Sequence, residues 1–149
     1  LLYIYYNKTK EQKFIAVVRS FQYEIINDEE NHDIPDFWGE CNEKNLLGPI
    51  CNLRPEGKRD LYGLCTPTKE GKDTFEYGLG VLVDEQTADF DMAEMEKAGF
   101  CVWDVKQGTY VVFDCIGEDG DCIGETWEKF YKEFLPQMGY EAEMRQKYI

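Results

Sequence analysis

Residues 34–38 read Ile34-Pro35-Asp36-Phe37-Trp38, and residues 123–127 read Ile123-Gly124-Glu125-Thr126-Trp127. An apolar, strand-like run precedes each: Val17-Val18 the first, Val111-Val112 the second. A strand-forming run that gives way to Ile-x-x-x-Trp, twice over, reads as a duplicated strand–helix unit. Duplication predicts a pseudo-symmetric fold, and the seam between two repeats is a natural place for a pocket.

Working outward from the first copy, Ile34, Phe37, Trp38 and Cys41 fall at i, i+3, i+4 and i+7, one apolar stripe of a helix. Asp33 reads as its N-cap, with Pro35 in the first turn. Residues 1–6 and 14–23 are strand-like, separated by a charged turn at 8–13. Residues 45–59 read as loop. Residues 60–66 and 74–83 form a hairpin around 67–73. Gly78 and Gly80 alternate with Tyr77, Leu79 and Val81, so a backbone or a ligand could approach the glycine face closely, with a bulge or tight helix packing as the equal alternative. A polar segment over 86–98 holds a short helix ending at Gly99. A second hairpin is expected from 100–105 and 109–115, turning at Lys106-Gln107-Gly108. After the acidic stretch 117–121, Ile123, Trp127, Phe130, Tyr131, Phe134 and Leu135 share one helical face, and Leu135-Pro136 marks its end. Residues 139–149 suggest a last strand. The expectation is one domain over residues 1–149, of class α+β, with antiparallel strands and two main helices.

Composition narrows the function. The chain has 149 residues, 43% hydrophobic and 15% aromatic, which excludes a disordered chain. Its net charge of -14 repels a phosphate backbone and attracts cations. Six cysteines occur without any C-x-x-C pair, and Cys65, Cys101 and Cys115 lie in strand-like runs where cysteine acts as a small hydrophobe. A reducing cytoplasm is the simplest setting. With His32 alone and no ligand spacing, neither a metal site nor a cofactor is expected. No run approaches the ~20 apolar residues of a membrane span. The chain opens at Leu1 rather than methionine, so the expectation is a part of a longer protein.

No nucleophile–base–acid set is visible, and Gly78-x-Gly80 lacks a third glycine for a dinucleotide loop. The chemistry that stands out is aromatic rings together with acids. A hydrophobic cation is held by rings through stacking and cation–π contact, about 0.5–2 kcal/mol each, and one carboxylate adds selectivity for positive charge. Trp38, Trp127, Tyr62, Tyr77 and Tyr110 are the candidate rings, and Glu76 the candidate acid.

Taken in order, Ile34-Pro35-x-x-Trp38, Tyr62-Gly63, Phe75-x-Tyr77-x-x-Gly80-Val81, Gly108-Thr109-Tyr110-Val111-Val112-Phe113 and Trp127-x-x-Phe130-Tyr131 resemble the GyrI-like small-molecule-binding domain. Phe134-Leu135-Pro136-x-x-Gly139-Tyr140-Glu141 continues the match, which spans roughly residues 13–149. That family supplies effector-binding domains to AraC-type and MerR-type transcription regulators. The resemblance implies two βαββ halves about a pseudo-twofold axis, with an aromatic ligand groove between them. It also implies a buried glutamate that meets cationic ligands. The family places that acid on the strand after Gly139-Tyr140-Glu141, where this chain stops at Tyr148-Ile149, so it is carried onto no position here. Either the segment is truncated or another acid, Glu76, serves.

The expected function is a ligand-binding sensor for hydrophobic or cationic small molecules, the effector part of a cytoplasmic transcription regulator. Nucleic acid would be reached only through a separate DNA-binding domain, and no membrane is involved. Two alternatives stay open on the same fold. One is a hydrolase of strained electrophiles using a pocket carboxylate, and the other is a gyrase-inhibitor-type protein-binding module.

Overall fold

The computed structural model of the chain describes residues 4–28, 30–66, 72–117, 121–137 and 147–148. In chain order the elements are β1 (Ile4–Thr9), β2 (Gln12–Gln22), a 3-10 turn (Tyr23–Asn27), α1 (Asp33–Glu43), α2 (Gly48–Cys51), β3 (Tyr62–Cys65) and β4 (Thr74–Val83). Then come α3 (Met92–Lys97), β5 (Phe100–Val105), β6 (Gly108–Phe113), α4 (Asp121–Lys129), a π-helical turn (Phe130–Phe134), α5 (Leu135–Gln137) and β7 (Lys147–Tyr148). The class is α+β with antiparallel sheets, as the sequence leads one to expect. Two compact units share the chain, residues 1–10 with 107–144 and residues 11–106 with 145–149.

The larger unit is a five-stranded sheet in the order β5-β2-β4-β3-β7, and β2, α1, β3 and β4 form a βαββ repeat within it. Antiparallel partners project to the same side of a sheet, so the register assigns the faces. Ile15 pairs with Val81, Val17 with Leu79 and Arg19 with Tyr77, which puts all six on one side. That side is covered by the apolar stripe of α1, whose Phe37 and Cys41 are buried. Phe37 lies at the hub, with ring centroids 5.9 Å from Phe21 and 6.4 Å from Tyr77. The Arg19 guanidinium caps the Phe37 ring at 4.4 Å and donates to Glu40 at 2.7 Å.

Both glycines of β4 are filled by protein. A Cβ on Gly80 would run into the Ile15 carbonyl and Ala16, and one on Gly78 would meet the Trp103 ring at 3.2 Å. The close neighbours are therefore the adjacent strand and an indole, which settles the alternatives for this face.

Three local expectations are corrected. Asp33 is not the N-cap: it is helical, His32 occupies the cap position, and the Asn31 Oδ1 accepts from the Asp33 N–H at 2.9 Å. Residues 45–59 are not wholly loop, because Pro49 near the start of α2 adds a helical turn there. Residues 100–105 and 109–115 do not form a hairpin. Instead β5 pairs with β2 and β6 with β1. Gly108 lacks the positive φ that a tight turn needs, so the chain runs on through Lys106-Gln107. Thr9 faces Gly108 and Gln12 faces Val105, so the two ladders are spaced equally on both strands.

Helix α1 ends in a Schellman motif. Asn45 is left-handed at φ 49°, Leu46 N–H donates to the Cys41 carbonyl at 2.9 Å, and Asn45 N–H donates to that of Asn42 at 3.2 Å. The segment after α2 is anchored by Arg54, only 6% exposed. Its guanidinium pairs with Asp84 and donates to the Thr87 hydroxyl at 3.2 Å, while Ala88 N–H donates to the Leu53 carbonyl at 2.7 Å. A charge this buried persists only when paired, so the ion pair ties the loop to the end of β4.

In the smaller unit, β1 and β6 pair antiparallel. Phe113, Phe130 and Phe134 stack in a column with centroids 5.2 and 5.3 Å apart. The buried Thr126 donates to the Cys115 sulfur at 3.3 Å. Cys115 lies beyond the end of β6 and is exposed, as is Cys101 in β5, so of the three strand-like cysteines Cys65 alone is a core residue. Among the described residues no helix is long and apolar enough to cross a membrane.

Candidate functional site

The six candidate residues separate into three groups. Trp38 and Tyr77 meet on the α1 side, where the Trp38 indole N–H donates to the Tyr77 hydroxyl at 3.0 Å. Gly63 makes that meeting possible. A Cβ there would collide with the Tyr77 hydroxyl and sit 3.4 Å from the Trp38 ring. Tyr77 is 1% exposed, and burial pushes its phenol up to about 12, with the Trp38 hydrogen bond pulling the other way.

Tyr62 and Glu76 lie on the opposite face of the sheet. Tyr62 pairs with Gly80, and Glu76 with Ser20. The Tyr62 ring is half-buried and 5.0 Å from that of Phe14, at 60°. Phe14 in turn faces Trp103 across the β2–β5 ladder. This side therefore carries a row of three aromatic residues, two of which, Phe14 and Trp103, the sequence reading did not single out. Glu76 is exposed, and its backbone is fixed by Thr66, whose hydroxyl accepts from the Glu76 N–H at 3.0 Å. Its charge reaches Cys101 on the same side, where burial first and Glu76 second raise the thiol pKa.

Tyr110 and Trp127 belong to the smaller unit. Tyr110 is half-buried on β6 opposite Asn7, with its ring edge over Gly108. Trp127 falls in α4, and its side chain lies outside the described residues. A cleft of about 580 Å³ opens beside α1 and α2, with Trp38 and Leu61 on its walls. Within the larger unit, then, the sheet itself separates Trp38 and Tyr77 from Tyr62 and Glu76.

Phe14 and Trp103 are buried, so the face bearing Tyr62 offers one accessible ring and a carboxylate, without a cation of its own among the residues just named. That arrangement suits a positively charged guest better than a covalent step. Among the described residues no cluster of three or more histidine, cysteine or acidic groups could hold a metal ion.

A family model described as Cass2, integron-associated effector binding protein, matches residues 10–147. No curated protein matches the sequence. Solved structures of the same fold include SAV2435 bound to tetraphenylphosphonium, at TM-score 0.74 and 14% identity, covering 98% of this chain and 81% of that one. A candidate bacterial transcription regulation protein from Staphylococcus aureus MU50 aligns at TM-score 0.70 and 12% identity, covering 98% and 84%. The integron cassette protein VCH_CASS2 from the mobile metagenome of Vibrio cholerae aligns at TM-score 0.60 and 14% identity, covering 99% and 88%.

Proposed function

The chain belongs to the Cass2 family of integron-associated effector binding proteins, and we propose that its effector is a hydrophobic organic cation held on the sheet face opposite α1. The observation that carries this reading is the half-buried Tyr62 ring, backed by the buried rings of Phe14 and Trp103, on the same face as the exposed carboxylate of Glu76. The net charge of -14 supports it by drawing cations to the molecule. So does the fold neighbour SAV2435, which is bound to a lipophilic cation.

The guest sheds its weakly held water against the half-buried Tyr62 ring. Glu76 supplies the opposite charge at the edge, which favours cations over neutral compounds of the same shape. Trp38 and Tyr77 act from behind, fixing β3 and β4 against α1. Tyr110 and Trp127 remain proposed contacts of the smaller unit. Binding biases the protein toward the conformation that holds the guest better, which is the signal a sensor passes on. The receiver is a transcription apparatus reached through a separate DNA-binding module, in the cytoplasm; the likeness to the Staphylococcus aureus protein and the free thiols support that setting.

Tetraphenylphosphonium titrated into Tyr62→Ala and Glu76→Gln tests the site. Loss of the ring is expected to weaken binding by about 1–3 kcal/mol and loss of the charge by about 1 kcal/mol, with melting temperatures near that of the parent. Two folded variants that bind the cation as the parent does would overturn the reading.

A further inference from the structure

We propose that the cleft beside α1 and α2 is a second ligand site, for a neutral, hydroxyl-rich molecule of one or two sugar rings. It lies on the covered side of the sheet, next to Trp38, and it is independent of the cation face. Its volume of about 580 Å³ falls within the range of small-molecule sites.

The lining is chemically selective. Asn42, Asn45 and Asn52, all exposed, border the cleft, and among the described residues none of their carboxamides is engaged by another side chain. None of the ten lining residues is charged, although the chain's 31% charged content would put about three among them. Burial raises the pKa of the Cys41 and Cys51 thiols, so these neighbours are uncharged as well. Arg59 is the charge felt at Cys51, and its guanidinium Nε is committed to the Arg54 carbonyl at 3.0 Å.

Three ligand classes fit poorly. A cation finds no carboxylate here, and an anion finds no guanidinium or ammonium on the walls. A purely apolar guest would displace water from whichever of the three exposed carboxamides it covers without replacing the hydrogen bonds. A polyhydroxylated ring satisfies them, since each carboxamide offers two donors and an acceptor. The Trp38 N–H is already used by Tyr77, so the indole presents only ring surface, against which the C–H face of a sugar packs. Leu61, 42% exposed at the rim, and the buried Leu47 extend that apolar wall. Gly48 leaves room for the Asn45 carboxamide, whose Nδ2 would be 2.7 Å from a Cβ at that position.

The test follows the side-chain amide resonances of Asn42, Asn45 and Asn52 in the 15N-labelled full chain, titrated with maltose, cellobiose and diacetylchitobiose. At least one sugar is expected to give saturable shifts with a Kd of about 1–10 mM. Asn42→Ala with Asn52→Ala, both exposed positions, should weaken it at least about tenfold while leaving tetraphenylphosphonium affinity unchanged. Leu61→Ala, which spares every carboxamide, should weaken it about threefold. No saturation by any of the three sugars up to about 50 mM overturns the proposal, as does an undiminished response in the double variant. Displacement of the sugar by tetraphenylphosphonium overturns it too, because the two sites would then be one. Failure here leaves the cation titrations of Tyr62 and Glu76 untouched.

Discussion

The two faces of the five-stranded sheet are both packed at their centres and differ in what they leave exposed. On the α1 side, Phe37, Tyr77, Leu79 and Val81 are each at most 1% exposed and interlock through ring contacts and one hydrogen bond. On the other side Phe14, Ala16 and Leu64 are at most 3% exposed and Trp103 7%, yet Tyr62 is half-buried and Glu76 exposed. Both sides are packed for stability, and the second also leaves one ring and one charge accessible. Neighbouring residues of a single strand, Glu76 and Tyr77, serve the two ends separately because side chains alternate along it.

The largest expected break in this contrast is Phe37→Ala. Emptying the hub of the closed face should cost about 3–5 kcal/mol in denaturant unfolding. A variant that loses less than about 1 kcal/mol would show that α1 does not cap the sheet as described.

Gly63→Ala comes next, at about 2 kcal/mol, because the new methyl must displace the Tyr77 hydroxyl. Tyr77→Phe alone should cost about 1 kcal/mol for the hydrogen bond with Trp38. In the Tyr77→Phe background the Gly63 substitution should be milder by at least about 0.5 kcal/mol. Strict additivity of the two would refute the collision.

A smaller effect is expected at high pH. With a folded pKa of about 12 against 10.0, the unfolded Tyr77 ionises first. Its contribution is intact below pH 10 and is lost as pH rises toward 12. Melting temperature should fall over that window, and less steeply in Tyr77→Phe.

The slightest effect concerns Glu40. Hydrogen bonds from Arg19, and then Lys44, hold its carboxyl at about 2 against 4.5. Its contribution is present above pH 4.5 and disappears as pH drops toward 2. The acid limb of a pH–stability curve should be shallower for Glu40→Gln, and added salt should shrink the difference because the pair is exposed. Identical acid limbs would mean that the pair contributes nothing.

The parts of the fold legible in the sequence are those set by local periodicity. Ile34, Phe37, Trp38 and Cys41 announce α1 because their spacing brings them onto one side of a helix whatever lies opposite. The strands around 62–65 and 74–83 are equally plain, being rich in β-formers and bounded by turn residues. What local pattern does not disclose is pairing. Lys106-Gln107-Gly108 carries a turn's composition, yet the residues on either side find partners some ninety positions earlier in the chain. The approach of Trp103 to Phe14 depends on that same long-range register, which is why neither stood out as a site residue. The cleft beside α2 was hidden for another reason. Residues 45–59 look like loop, and the anchor that shapes them, Arg54, takes its partners from Asp84 and Thr87, thirty residues on.

The Arg54 anchor limits how the chain can change in length. Its guanidinium reaches Asp84 and Thr87, its Nε donates to the Lys58 carbonyl, and its own carbonyl accepts from the Arg59 Nε. An insertion between residues 54 and 59 would therefore pull partners away from a charge that is 6% exposed, so relatives should keep this short stretch at constant length.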